Sequence, residues 1–313
     1  MKPLDRVRVL IGPSSFGEYD RAPLDRLIDA GYKVVDNPYK RKLSKAELAD
    51  LLAGGIVGLV AGLEPLDREV LAKSTLKVIS RCGAGLSNVD MATARELGIE
   101  VYSTPQAPSA AVAELTLGAM LCLLRMVPQM DRDLHRGEWN KRIGWQLAGK
   151  TVLIVGFGRI GRRLAALLRP FDVQLLAADP DPTAASNEDH VPVVSLQEGL
   201  PQADVVTIHC SGHECVLGEK EFELAKAGVF VLNAARGGVV DECALARAIE
   251  SGKVAGAWLD VFEAEPYQGP LSSCPQVLLT PHVGSYTVEC RRSMELEAVE
   301  NLIAALRRKA VQP

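Results

Sequence analysis

The stretch that decides the fold is Val152-Leu153-Ile154-Val155-Gly156-Phe157-Gly158-Arg159-Ile160-Gly161. An apolar run enters a G-x-G-x-x-G turn and an amphipathic segment leaves it, the pattern of a strand, a phosphate-binding turn and a helix. Each glycine has its own task. Gly156 allows the tight turn, Gly158 lets the backbone approach a pyrophosphate, and Gly161 lets the helix pack close on the strand. The phosphates then meet a helix N-terminus, where unpaired N–H groups and the helix dipole favour anions.

Glycine-rich turns are common, so the surroundings carry the argument. Thr151 to Val155 is apolar and β-branched, and Leu164, Leu167, Leu168 and Phe171 recur at helical spacing until Pro170 ends the helix. A second apolar run, Val173 to Ala178, closes on Asp179, 18 residues past Gly161. That is near the ~20 expected for an acid bonding an adenosine ribose. A carboxylate repels a 2′-phosphate, and Asp179 is followed by Pro180, Asp181 and Pro182 rather than arginine, so the cofactor expected is NAD.

Outward from this turn the chain keeps one rhythm. Strands are expected at Val7 to Ile11, Lys33 to Val35, Ile56 to Val60, Lys77 to Ser80 and Ile99 to Tyr102, with helices between them. Ser44 and Glu47 form a capping-box pattern, and Asp90 and Gly98 bracket another helix. A second series starts at Thr151 and continues at Val173 to Ala178, Asp204 to His209, Val229 to Asn233, Ala255 to Asp260 and Val277 to Thr280. Six strands match a full dinucleotide-binding sheet. Ala110 to Met126 is the longest apolar helix candidate; it carries Glu114, Thr116 and Arg125, falls short of a spanning length, and reads as buried between domains or subunits. The residues after Thr287 form a final helix.

Composition narrows the function classes. The 313 residues suggest two domains, and 48% hydrophobic with 24% charged residues is ordinary globular composition. A net charge of -4 gives no general attraction to nucleic acid or an anionic membrane. Seven scattered cysteines without a C-x-x-C pair fit a reducing compartment, and Met1 to Arg6 lacks a signal-peptide apolar core, so a cytoplasmic protein is expected.

Ligands of parallel sheets bind beyond the carboxyl ends of the strands, which singles out three charged residues. Arg236 follows Val229 to Asn233, and its planar fork suits a carboxylate. Glu265 follows Ala257 to Phe262. His282 follows Leu278 to Pro281, and an imidazole titrates near neutrality, so it can exchange a proton with an alcohol or oxyanion. A neighbouring carboxylate would orient the ring.

These segments together resemble the D-isomer-specific 2-hydroxyacid dehydrogenase family over nearly the whole chain. The resemblance rests on Ser80-Arg81-Cys82-Gly83-Ala84-Gly85-Leu86-Ser87-Asn88-Val89-Asp90, Ala111 to Leu115, Gly149-Lys150-Thr151, the glycine turn, Asn233-Ala234-Ala235-Arg236-Gly237-Gly238, Leu259 to Pro266 and Thr280-Pro281-His282-Val283-Gly284-Ser285. It implies an α/β protein with a central Rossmann NAD-binding domain, residues 103–286, and a flavodoxin-like substrate domain formed from both chain ends, residues 1–102 and 287–313. By that likeness Arg236 binds the substrate carboxylate, Glu265 pairs with His282, and His282 is the acid/base. The cofactor residues implied are Gly156, Gly158, Arg159, Ile160, Gly161, Asp179, Pro180, His209, Cys210, Ala234, Ala235, Asp260, His282 and Gly284. The substrate residues implied are Arg81, Ala84, Gly85, Arg236 and His282.

The reaction implied is hydride transfer between a D-2-hydroxy acid and its 2-oxo acid, in a homodimer. 3-Phosphoglycerate, and with it serine biosynthesis, is the leading substrate expectation; glyoxylate or hydroxypyruvate is the alternative, and an NADH-gated binding protein of corepressor type is another. Phosphoglycerate enzymes place a basic residue after the third strand, where this chain reads Val60-Ala61-Gly62, leaving Arg81 or Arg291 to substitute. The sequence ends at Pro313, so no serine-sensing regulatory domain is expected. His209-Cys210-Ser211-Gly212-His213-Glu214-Cys215 has the look of a metal cluster, but it falls where the family has a longer loop, and no metal is expected because arginine and histidine do the polarising.

Overall fold

The computed structural model describes residues 7–181, 184, 190–212 and 214–310; Met1 to Arg6, Pro182, His213 and Pro313 of the readings above lie outside them. Two compact units divide the chain, one made of Met1–Pro108 and Ser285–Pro313, the other of Ser109–Gly284.

The first unit holds one parallel sheet of β1 (Arg8–Ile11), β2 (Lys33–Val35), β3 (Ile56–Ala61), β4 (Val78–Arg81) and β5 (Glu100–Ser103), in the order β2-β1-β3-β4-β5. That order is flavodoxin-like, and its topological switch point lies between β1 and β3. Local chemistry sets the helix starts. The Ser44 side chain accepts from Glu47 N while Glu47 caps Ser44 in return, and Asp90 caps its helix through Thr93 N. The closing helix, Val288–Ala310, packs on β3 at Gly58, where a Cβ would press on Leu306 at 3.0 Å and Leu302 at 3.2 Å.

The second unit holds β6 (Thr151–Val155), β7 (Gln174–Ala178), β8 (Val205–Ile208), β9 (Val229–Asn233), β10 (Val254–Leu259) and β11 (Val277–Leu279), ordered β11-β10-β9-β8-β6-β7. Side chains alternate along a strand, so β6 feeds two cores. Leu153 and Val155 join one, with Leu245 and Leu259; Val152 and Ile154 join the other, with Leu164 and Trp258. The six expected strands are present, but they do not make two complete three-stranded halves. Among the described residues the strand that would flank β7 is reduced to a single bridge, Ala177 to Val193. Pro192 just before it supplies a carbonyl to Ala177 N and has no N–H of its own to extend the ladder.

The long apolar helix runs Pro108–Leu124 and breaks at Met126, whose φ is +53°, before a second helix, Val127–His135. Among the described residues no single helix is long and apolar enough to cross a membrane.

Candidate functional site

The glycine turn has the shape its sequence requires. Gly156 adopts φ +90°, and a Cβ there would lie 2.6 Å from both Cys210 Cα and His209 C, so the turn is pressed against the end of β8. A Cβ on Gly161 would collide with Gly156 O and stand 3.1 Å from Ile154 Cγ2. Gly158 faces open space on that side and caps the helix Arg159–Leu168, so the first N–H groups of Arg159 and Ile160 border that space. Tight glycines on two sides and an open one between them fit a bound pyrophosphate.

Asp179 follows β7, and its Oδ2 accepts Phe157 N at 2.6 Å, the middle residue of the turn. Its Oδ1 accepts Asp181 N at 2.9 Å, past the exposed Pro180. Asp179 is thus tied to the glycine turn. His209, after β8, shares a hydrogen bond of 2.9 Å between its Nε2 and Thr207 Oγ1, while its buried Nδ1 has no partner among the described residues. Burial pulls this imidazole down to about 3, so it stays neutral. Burial pushes the Cys210 thiol up, and it lies within the fields of both Asp179 and Arg236, which places the turn, β8 and the β9 loop together. Among the described residues no three His, Cys, Asp or Glu side chains converge to hold a metal ion.

β9 ends at Asn233, whose side chain closes a small loop. Its Oδ1 accepts Ala235 N and its Nδ2 donates to Arg236 O, both at 3.0 Å, fixing Ala234, Ala235 and Arg236. The half-buried Arg236 guanidinium donates to Ala235 O at 2.6 Å and has no carboxylate partner among the described residues. Gly237 follows, so close to the next strand's loop that a Cβ would strike Phe262 O and come within 2.6 Å of Glu263 N. The Arg236 loop and the Glu265 loop therefore lie back to back.

Glu265 and His282 meet. His282 Nδ1 lies 2.9 Å from Glu265 Oε2 and 3.1 Å from Oε1, and Oε1 also accepts Phe262 N at 3.2 Å. A carboxylate on Nδ1 keeps a proton on that nitrogen and leaves Nε2 to exchange one. His282 itself has φ +56°, with its N–H turned to Thr280 O at 2.9 Å. A non-glycine residue in that region is held there by its surroundings.

The holder is Asp260, which the sequence marks only as a cofactor residue. It is buried, Oδ1 accepts Thr280 Oγ1 at 2.6 Å and Val283 N at 2.8 Å, and Oδ2 accepts Gly284 N at 2.7 Å. Thr280 Oγ1 in turn accepts the indole N–H of the buried Trp258 at 3.0 Å. The T-P-H-x-G spacing was the available signal for this clamp.

Residues 117–284 match the family model described as D-isomer specific 2-hydroxyacid dehydrogenase, NAD binding domain, more than half of the chain. The chain belongs to the D-isomer-specific 2-hydroxyacid dehydrogenases. It is 36% identical over 276 residues to the hydroxypyruvate reductase of Thermotoga maritima, covering 84% of this chain and 89% of that protein. The D-3-phosphoglycerate dehydrogenase of Methanocaldococcus jannaschii is also 36% identical over 276 residues, covering 85% of this chain and 52% of that protein. The chain thus spans about half the length of the phosphoglycerate dehydrogenases it matches. A solved structure from Thermus thermophilus superposes with a TM-score of 0.88 at 34% identity, over 96% of this chain and 97% of the other. The fold of this dehydrogenase family, a Rossmann NAD domain with a flavodoxin-like companion, is accordingly that of the two units described above.

The first unit holds the remaining candidates. Arg81 ends β4, and Gly83, at φ +142°, is packed against its guanidinium; Ala84 and Gly85 follow in the same loop. Arg291 is not a surface charge. It is buried with Glu295 at 2.6 Å and lies 5.3 Å from the Tyr286 ring centroid.

Proposed function

We propose that this chain is an NAD-dependent oxidoreductase that interconverts a D-2-hydroxy acid and its 2-oxo acid. The observation that carries the reading is the Glu265–His282 pair, at 2.9 Å, on a loop clamped by Asp260. A bound nicotinamide dinucleotide supplies the hydride. His282 Nε2 gives the proton to the carbonyl oxygen in reduction and takes it back in oxidation. Glu265 fixes the ring and balances the imidazolium. Arg236, without a carboxylate partner among the described residues, grips the substrate carboxylate and polarises the carbonyl beside it. By the family resemblance Ala84 and Gly85 of the first unit are substrate residues too, and residues 103–286 are the NAD-binding domain.

Two substrate expectations stand, 3-phosphoglycerate in serine biosynthesis and glyoxylate or hydroxypyruvate. They differ in whether the acid bears a second anion. All seven cysteines are free, in keeping with a cytoplasmic protein. A second copy of the chain is proposed to cover the exposed Trp139, Ile143 and Leu134 that follow the long apolar helix.

The test is initial rates with NADH and NADPH against glyoxylate, hydroxypyruvate and 3-phosphohydroxypyruvate, for wild type and His282→Ala. Wild type is expected to reduce at least one acid, and His282→Ala to lose ~10²–10⁴-fold in turnover while retaining NADH binding. Near-wild-type turnover in the variant would remove His282 from the chemistry. NADH binding with no reduction of any acid would favour a cofactor-gated binding protein.

A further inference from the structure

The switch point of the first unit's sheet, between β1 and β3, is where an open parallel sheet offers backbone N–H groups to a ligand anion. In this chain a side chain has taken the place. Glu64, 1% exposed, sends Oε1 to Gly62 N at 2.8 Å. It fills the space against both strand ends: a Cβ on Gly12, after β1, would meet Glu64 Cδ at 2.8 Å, and one on Gly62, after β3, would meet Oε2 at 2.8 Å. Asn88 locks the turn by donating to Gly62 O at 3.2 Å and Glu64 O at 2.8 Å.

The cations around this point are answered from within. Arg81 at the end of β4 and Lys42 both direct their fields at Glu64. Arg291 is paired with Glu295, whose other oxygen accepts Gly17 N at 2.9 Å. Arg81, Arg291 and Glu295 all act on the buried Cys82 thiol. Burial pushes the Glu64 carboxyl up, and the Gly62 N–H, Arg81 and Lys42 offset only part of that rise.

We propose that the first unit selects an acid whose carboxylate is its only anionic group, and that Glu64 sets this choice by occupying the switch-point amide and offsetting Arg81. This rests on the reading under Proposed function and names its substrate class: small 2-oxo acids of the hydroxypyruvate or glyoxylate kind, with phosphorylated ones discriminated against. A phosphate at these strand ends finds no spare amide at Gly62 and a carboxyl group in the way.

The experiment compares kcat/KM for hydroxypyruvate and 3-phosphohydroxypyruvate in wild type and Glu64→Gln. Wild type is expected to favour hydroxypyruvate by at least about tenfold, and the variant to gain about tenfold on the phosphorylated acid, through KM, with hydroxypyruvate changed less than about threefold. A wild-type preference for the phosphorylated acid overturns the proposal, as does an unchanged ratio in Glu64→Gln. Should the variant not fold, product inhibition of wild type decides: 3-phosphoglycerate binding more tightly than D-glycerate overturns it, the reverse supports it. If wild type reduces no 2-oxo acid, the dehydrogenase reading itself has failed and this inference falls with it, an outcome distinct from active enzyme with the wrong preference.

Discussion

Asp260 holds His282 without touching its ring. The carboxylate accepts the backbone N–H groups of Val283 at 2.8 Å and Gly284 at 2.7 Å, the two residues after His282, and the hydroxyl of Thr280, two before it. The left-handed backbone at His282 is thereby fixed from both sides. Asp260→Ala leaves the buried Gly284 N–H and the part-buried Val283 N–H and Thr280 hydroxyl without their acceptor, the buried one costing about 1–3 kcal/mol. Asp260→Asn keeps one acceptor oxygen and the volume. Turnover is expected to fall about 10²-fold in Asp260→Ala, the order expected when a catalytic group is displaced by about 1 Å. Asp260→Asn should recover much of the melting temperature. Equal turnover in wild type and Asp260→Ala, measured on folded protein, would show that the clamp does not position the histidine.

Gly237 joins two functional loops by lacking a side chain. A Cβ there would strike Phe262 O and reach 2.6 Å from Glu263 N, so Gly237→Ala must part the Arg236 loop from the loop carrying Glu265. Overpacking of this kind costs about 1–3 kcal/mol. Thermal unfolding should show a lower melting temperature, and KM for the 2-oxo acid should rise more than KM for NADH. A variant that melts like wild type with unchanged KM would mean that the two loops adjust independently.

The sequence carried the elements that local chemistry dictates. Strands such as Lys33–Val35, Thr151–Val155 and Val229–Asn233 are short apolar runs whose ends coincide with the change to polar or turn residues, and the Ser44 and Asp90 caps need only their own neighbours. Glu265 and His282 were legible as a pair through the family motifs, 17 positions apart. What escaped depends on three-dimensional closure. Nothing around Glu64 in the chain says that its carboxyl turns inward onto Gly62 and Gly12, and a Glu-Pro step reads as a surface turn. The reduced strand at Val193 was invisible for the opposite reason, since a single bridged residue has no period to detect.

Cofactor choice is expected to follow the charge of Asp179. Its Oδ2 already accepts Phe157 N at 2.6 Å, so Asp179→Asn preserves an acceptor for the glycine turn while removing the charge that repels a 2′-phosphate. The ratio of kcat/KM for NADPH over NADH should rise about tenfold or more, with NADH still used. The ratio is read from initial rates at one fixed 2-oxo acid concentration. A wild type that prefers NADPH, or a variant with the same ratio, would detach Asp179 from ribose recognition.

His209 links the cofactor side of the second unit to acid stability. In the folded chain its ring stays neutral down to about 3, because protonation would place a charge among buried surroundings. Unfolded, the same imidazole takes a proton near its ordinary value of 6.5. Below that value the unfolded state therefore binds one more proton than the folded state. Stability is intact above pH 6.5 and is lost as the pH falls toward 3, at up to about 1.4 kcal/mol per unit. His209→Gln has nothing to titrate in this window. Wild type should thus lose more melting temperature than His209→Gln between pH 7.5 and pH 5, whatever offset the substitution adds at both. Parallel loss in the two proteins would mean that His209 is protonated in the fold or solvated there, and that another group sets the acid limit.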